Sequence, residues 1–376
     1  MLLFDKRHVQ NLKQPLEIID IPHDHAPKDG VEAYRHNKIF EYEDLQAHFI
    51  ATRTENYKSR LISVCQRNSW RPLQMTIEMV NLITTEHGMD ETFTQLPSYF
   101  YDRKRDIEKC VCAPFTQSRF PSGLQISYTF KYPEHSPEQN KWSIRQTGVY
   151  HKRDTRKGQS TWVLFNPTPS SMGHCLAEKR LKIEQLEVTN DPLWLHWTLF
   201  SAYMPLWRVY IADIEQQILH ISSQVIITSI NKPLELLGHD QLKSMMNLEK
   251  RINETIAILG SAQDVLTEIC DALQQDPDFD TSTKGLDGLN NVRRQCAAYL
   301  HSAMYLQKMV LSVTQALTHT VLFRDQVVAK EQNTHIFQLN KSAVFITTLT
   351  LFYLPASFLA VRNLVVHFLI AYEFRN

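Results

Sequence analysis

The spacing of apolar and polar positions divides the chain into two textures. Up to about residue 190 short patterns of both periods follow one another. Pro15 to Ile21 is apolar in the manner of a strand, whereas Glu41 to Thr52 and Pro72 to Glu86 carry helical spacing, the second opened by a proline at a tolerated first-turn position. Gln125 to Tyr132, Trp142 to His151 and Ser160 to Phe165 are rich in aromatic and β-branched residues. The polar, glycine-containing run Arg153 to Gln159 predicts that the last two pair as a hairpin. Residues 1–190 are therefore expected to form a mixed α/β soluble domain.

From Asp191 onward the pattern is almost continuous helix, with Pro192, Pro205 and Pro233 as interruptions. Leu242, Met245, Leu248, Ile252, Ile256, Leu259, Ala262, Leu266, Ile269 and Leu273 recur at three- and four-residue steps and make one apolar stripe. The run from Asp276 through Pro277 to Gly285 reads as the turn of a helical hairpin. Beyond it, Leu289, Val292, Cys296, Tyr299, Ala303, Leu306, Val310, Val313 and Leu317 form a heptad seam. That seam needs a covering helix, either the hairpin partner or copies from other subunits, and left uncovered it drives self-association. Helix from Leu286 to Leu339 would be about 80 Å long, which predicts a stalk over residues 191–341.

After the stalk, Ser342 to Val361 is free of charge and is bracketed by Lys341 and Arg362. Its length as a helix, about 30 Å, matches the hydrocarbon core of a bilayer. A buried core helix of that length would carry a charged face, so the run predicts a transmembrane helix. Asn340, Thr347, Thr350 and Ser357 gather on one stripe of it, where neutral oxygens facing a wet path could hold a hydrated ion. The structural alternative for these hydroxyls is a bond back to the helix backbone or to a neighbouring helix. The apolar tail of residues 362–376 is too short to cross a second time; it lies at the interface or extends a tilted first span.

Composition adds little to this pattern and excludes several classes. The 376 residues carry 40 basic and 40 acidic side chains, so no global field favours nucleic acid or an anionic surface. Six scattered cysteines fit a reduced, cytosolic setting, and charges within the first eight residues leave no room for a secretory signal's apolar stretch. The N-terminal region is accordingly expected in the cytosol, with the plasma membrane preferred over an organelle. His23-Asp24-His25 lacks further ligands at regular spacing, and Asp276, Asp278 and Asp280 lack the glycine and closing glutamate of a calcium loop. No phosphate-cradling loop, nucleophile elbow or Cys/His nucleophile pair stands out, so neither an enzyme nor a cofactor is expected, and no catalytic residue is assigned.

The run Phe345-Ile346-Thr347-Thr348-Leu349-Thr350-Leu351-Phe352-Tyr353-Leu354-Pro355-Ala356-Ser357-Phe358 resembles the start of the pore helix in fungal CorA-like magnesium transporters. Trp142 to His151 with Trp162-Val163-Leu164, and the Trp207-Arg208-Val209-Tyr210 helix ending in Ile214-Glu215, are similar to segments of the same family. The resemblance spans roughly residues 60 to 360. It implies a homopentamer, Mg²⁺ as the transported ion, and pore-facing positions at Asn340, Thr347, Leu351, Leu354 and Ser357. After Ala360 the family continues to a Gly-Met-Asn signature and a second span, whereas this sequence reads Val361-Arg362-Asn363-Leu364. The reading is therefore a CorA-like divalent-cation transporter subunit, incomplete at its selectivity turn. The alternative is a membrane-anchored coiled-coil interaction or regulatory protein without transport.

Overall fold

The computed structural model describes residues 8–22, 34–53, 57–103, 107–184, 191–227, 239–274 and 284–373. His23, Asp24 and His25, the acidic run Asp276–Asp280 and most of the predicted hairpin turn lie outside these residues. The chain separates into two compact units, one of residues 1–220 and 245–311, the other of residues 221–244 and 312–376.

The first unit is built on a seven-stranded mixed sheet. Its strands are β1 (Leu16–Pro22), β2 (Arg35–Ile39), β3 (Tyr57–Cys65), β4 (Thr116–Phe120), β5 (Gly123–Ser136), β6 (Lys141–Asp154) and β7 (Gln159–Asn166), in the spatial order β2-β1-β3-β7-β6-β5-β4. The predicted hairpin forms with His151 opposite Trp162, and its turn is closed by Gly158 at φ 62°, a conformation glycine adopts without strain. Antiparallel pairing prevails except between β3 and β7, where Ser59 to Cys65 run parallel to Ser160 to Asn166. Such a pair requires a long crossover, and here it comprises the helices α2 (Ile77–His87) and α3 (Glu91–Gln95) together with the β4–β6 meander, whereas α1 (Tyr42–Thr52) precedes β3.

Each face of the sheet is covered. Val163, Phe165 and Tyr150 point toward α1, α2 and α3 and join Phe49, Met79, Ile83 and Phe93 in one buried cluster. Alternate residues point the other way: Tyr128, Phe130 and Tyr132 meet Phe200 and Tyr203 of the helix α5 (Trp194–Ile227), with Tyr132 and Tyr203 stacked at 3.6 Å between centroids. Helix α4 (Met172–Ile183) precedes α5, and α6 (His239–Gln274) and α7 (Lys284–Glu373) follow. Phe100 packs closely on the β6 backbone at Gly148, where an added Cβ would lie 3.0 Å from that ring and the ring would have to give way.

Two expectations change, and one open alternative is resolved. The second predicted helix starts at Ile77 rather than Pro72, because Gln74 donates its backbone N–H to the Cys65 carbonyl at 2.8 Å and Thr76 caps the helix by accepting from Met79 N–H. Pro205 does not interrupt α5; a proline inside a helix costs about 3 kcal/mol, and the burial of Phe200, Tyr203, Met204 and Trp207 on either side offsets it. The heptad seam is not left open for other subunits: Leu289, Val292, Cys296, Ala303, Leu306 and Val310 are all buried within the single chain. Cys296 donates its thiol to the Leu259 carbonyl, and Gln307 donates to Asn253, so α6 is the covering helix along the first unit. Self-association is thus not required to bury Leu289 to Val310.

Candidate functional site

The second half of α7 presents the opposite situation. Every residue from Val328 to Ala371 is exposed, including Leu351, Phe352, Tyr353, Leu354, Phe358 and Leu359. The apolar stretch within it has a mean hydropathy of 1.9 with none of its window buried. A soluble protein's core helix of this composition would be covered, and a secretory signal would lie near the N-terminus; this segment satisfies neither description. Water is a poor solvent for such a surface, and hydrocarbon is a good one. The helix also does not stop at Val361: it continues as one element to Glu373, so the tail extends the first run.

The five positions Asn340, Thr347, Leu351, Leu354 and Ser357 all lie on this helix and all are exposed. At about 100° per residue they fall within an arc of about 120°. The hydroxyls bond back to the backbone of their own helix. Thr347 Oγ1 donates to the Ala343 carbonyl at 2.8 Å, Thr348 to Val344 at 2.8 Å, Thr350 to Thr347 at 2.8 Å and Ser357 to Leu354 at 3.0 Å. Each donor is satisfied within its own helix, which is what an apolar surrounding demands. The oxygen lone pairs not used in these bonds remain acceptors, so the stripe can still offer neutral oxygens to water or a cation. Arg362 projects near the edge of the same arc, about 60° from Thr347.

The segments singled out by resemblance in the first unit meet in space. Trp142 of β6 packs edge-on against Tyr210 of α5 at 5.3 Å, and Tyr210 also contacts Trp207 at 5.8 Å. Arg251 of α6 joins them, donating to the Tyr210 hydroxyl and to Asp213 at 3.2 Å. Two polar clusters were not visible in the sequence. One is a buried pair in which Arg60 of β3 donates twice to Asp20 of β1, at 2.6 and 2.8 Å, and once to Thr52. Burial by itself would raise the Asp20 carboxyl, yet the hydrogen bonds from His48 and Arg60 hold it below its ordinary value. The other is the His151–His196 contact at 3.3 Å, with the Tyr128 hydroxyl 2.7 Å from His196 Nδ1. Burial keeps both imidazoles neutral, that of His196 lowered to about 3. Among the described residues no group of three or more His, Cys, Asp or Glu side chains is arranged to hold a metal ion.

Residues 116–226 match the family model of CorA-like transporters, a stretch that runs from β4 almost to the end of α5. No curated protein matches. Among solved structures, the chain is similar to the soluble domain of CorA from Methanocaldococcus jannaschii, with TM-score 0.46 and 10% identity over 81% of this chain and 97% of that one. It is similar to the complete CorA magnesium transporter of the same organism, with TM-score 0.45 and 10% identity over 89% and 82% of the two chains. The full-length CmaX protein gives TM-score 0.48 and 12% identity over 94% and 86%. From β4 through nearly all of α5, then, the sequence is similar to that of CorA-like transporters.

Proposed function

We propose that the chain is a membrane-embedded subunit of a CorA-like divalent-cation transporter, with Mg²⁺ as the ion, acting as a homo-oligomer, a pentamer by family resemblance. The observation that carries this reading is the uncovered, uncharged run of α7 with its hydroxyl stripe; the family match over residues 116–226 supports it. Copies of α7 packed around an axis would turn Asn340, Thr347, Leu351, Leu354 and Ser357 toward a shared path. Neutral oxygens there suit an ion that keeps its inner water shell, because Mg²⁺ dehydrates reluctantly and outer-shell contacts suffice to pass it along.

A second reading, a membrane-anchored regulatory protein without transport, is favoured by Arg362-Asn363 standing where the family pattern has Gly-Met-Asn. A ring of guanidinium groups at that mouth repels a divalent cation unless each is turned toward lipid phosphates. The test is growth and Mg²⁺ uptake in a magnesium-transport-deficient strain. It compares the chain as written with a chimera in which residues after Ala360 are replaced by a family segment carrying the signature and second span. Rescue by the chimera alone is expected. Failure of both, with both inserted in the membrane, would favour the regulatory reading, and rescue by the unmodified chain would refute the role given to Arg362.

A further inference from the structure

The first unit contains a cavity of about 790 Å³ that none of the transport chemistry uses. It lies where the far ends of β5 and β6 meet α5, α6 and the loops after β3 and α3. Arg103, Lys109, Lys131, Lys141, Arg145 and Arg251 line it, against two carboxylates, Asp213 and Glu254. Asp213 is already engaged by Arg251 at 3.2 Å. The excess of positive charge in a concave site focuses potential and selects an anion.

The individual side chains sharpen that selection. Lys131 is only 3% exposed, and its ammonium donates to the main-chain carbonyls of Glu108 and Lys109, each at 2.8 Å. Burial lowers its pKa to about 8, so a nearby anion would relieve an existing cost. Arg145 is held by Glu134 at 2.7 Å and by Ser69 at 2.6 Å, and Arg103 by the Tyr99 carbonyl at 3.2 Å. A guanidinium has five N–H donors, so each retains donors beyond those bonds. Gln146 lines the same cavity, is 7% exposed, and its Oε1 is buried with no hydrogen-bond partner. That oxygen calls for a donor on whatever fills the space. At the rim stands Trp70, 43% exposed, whose neighbour Ser69 fixes Arg145.

We propose that this cavity binds a nucleoside phosphate, its phosphates held by Arg103, Lys131 and Arg145, its base stacked on Trp70, and a hydroxyl or amino group donating to Gln146. An inorganic anion would leave most of the volume empty and Gln146 unsatisfied. Small-molecule sites fall in the range of roughly 300–1,000 Å³, which includes this one. The assignment stands independently of transport.

The test uses the full chain in detergent at low salt, titrated with ATP, AMP and pyrophosphate and followed by calorimetry. The expected result is saturable ATP binding, weakened about tenfold by Trp70→Ala, the effect of one lost stacking contact, and at least as much by Arg145→Gln. Pyrophosphate is expected to bind about tenfold more weakly than ATP on the same ground. Trp70 is exposed enough for its variant to keep the fold, and Arg103→Gln, at a half-buried position, replaces Arg145→Gln should the latter fail to fold. Absence of saturable ATP binding at about 1 mM ligand, unchanged ATP affinity in the variants, or pyrophosphate binding as tightly as ATP would each overturn the proposal.

Discussion

Replacing Arg60 by methionine isolates the buried ion pair that joins β1 to β3. The Asp20 side chain is 7% exposed and that of Arg60 3%, so neither charge has water to fall back on. Arg60 supplies two bonds to Asp20 and one to Thr52, and its guanidinium sits over the Tyr57 ring at 4.3 Å. Methionine fills much of the same volume but leaves the carboxylate with only the His48 contact at 3.2 Å. Breaking a buried pair in this way costs about 3–5 kcal/mol, which for a unit of this size lowers the melting temperature by about 5–15 °C. The sign with pH follows. In the parent, Asp20 titrates below its ordinary value, so its contribution is present above the unfolded carboxyl's pKa of 3.8 and is lost as pH falls through the folded one. In the variant the unpaired carboxyl titrates above it, so the deficit is greatest near neutrality and shrinks on acidification. Buried Trp162, Trp194 and Trp207 report unfolding by intrinsic fluorescence of the detergent-solubilised chain. A melting point within about 2 °C of the parent at pH 7 would refute the reasoning, and a near-parental Asp20→Leu/Arg60→Met double variant would confirm that pairing, not packing, is lost.

Leu306→Asp with Val310→Asp places two carboxylates in the covered seam, where each costs several kcal/mol; circular dichroism should show the first unit unfolding, whereas dissociation of folded subunits would mean that other copies cover the seam. Glu17 is lowered from 4.5 to about 2, first by its hydrogen bond with His174 and then by His36 and Lys38. Its stabilisation is complete above about 4.5 and fades as pH falls toward 2, so acid denaturation of Glu17→Gln should lose part of its pH dependence in that window. The full chain should remain in the pellet on alkaline carbonate extraction of membranes; release to the supernatant would contradict a span at Ser342 to Val361.

What was legible in the sequence was local. The β6–β7 hairpin announced itself because its strands are aromatic and β-branched and its turn contains Gly158 at positive φ. The α6 stripe and the α7 seam were both legible as three- and four-residue steps, but not that they cover each other, since the contact between Leu259 and Cys296 is tertiary. The β3–β7 pairing was invisible for a similar reason: Leu61 and Trp162 meet across a hundred residues of crossover. Pro205 misled because propensity is local while the aromatic packing that overrides it is supplied by β5. The stripe of Asn340, Thr347, Thr350 and Ser357 could be placed on one helix face from spacing alone, whereas Leu351 and Leu354 joined it only through the family resemblance. The cavity could not, since Trp70, Lys131, Arg145 and Arg251 come from separate elements, and the run that contains Arg145 gives no sign of the others.

The claim that α7 spans the bilayer with one wet face is tested most directly by cysteine accessibility. The chain's own cysteines, Cys65 to Cys296, all lie before the span. Single cysteines are introduced at Asn340, Thr347, Leu351, Leu354 and Ser357, and at Leu349, Phe352 and Ala356 on the opposite side. Each is exposed in native membranes to a membrane-impermeant thiol reagent. Labelling at the first five positions with protection at the last three is the predicted result. Uniform protection, or labelling that favours Leu349, Phe352 and Ala356, would contradict it.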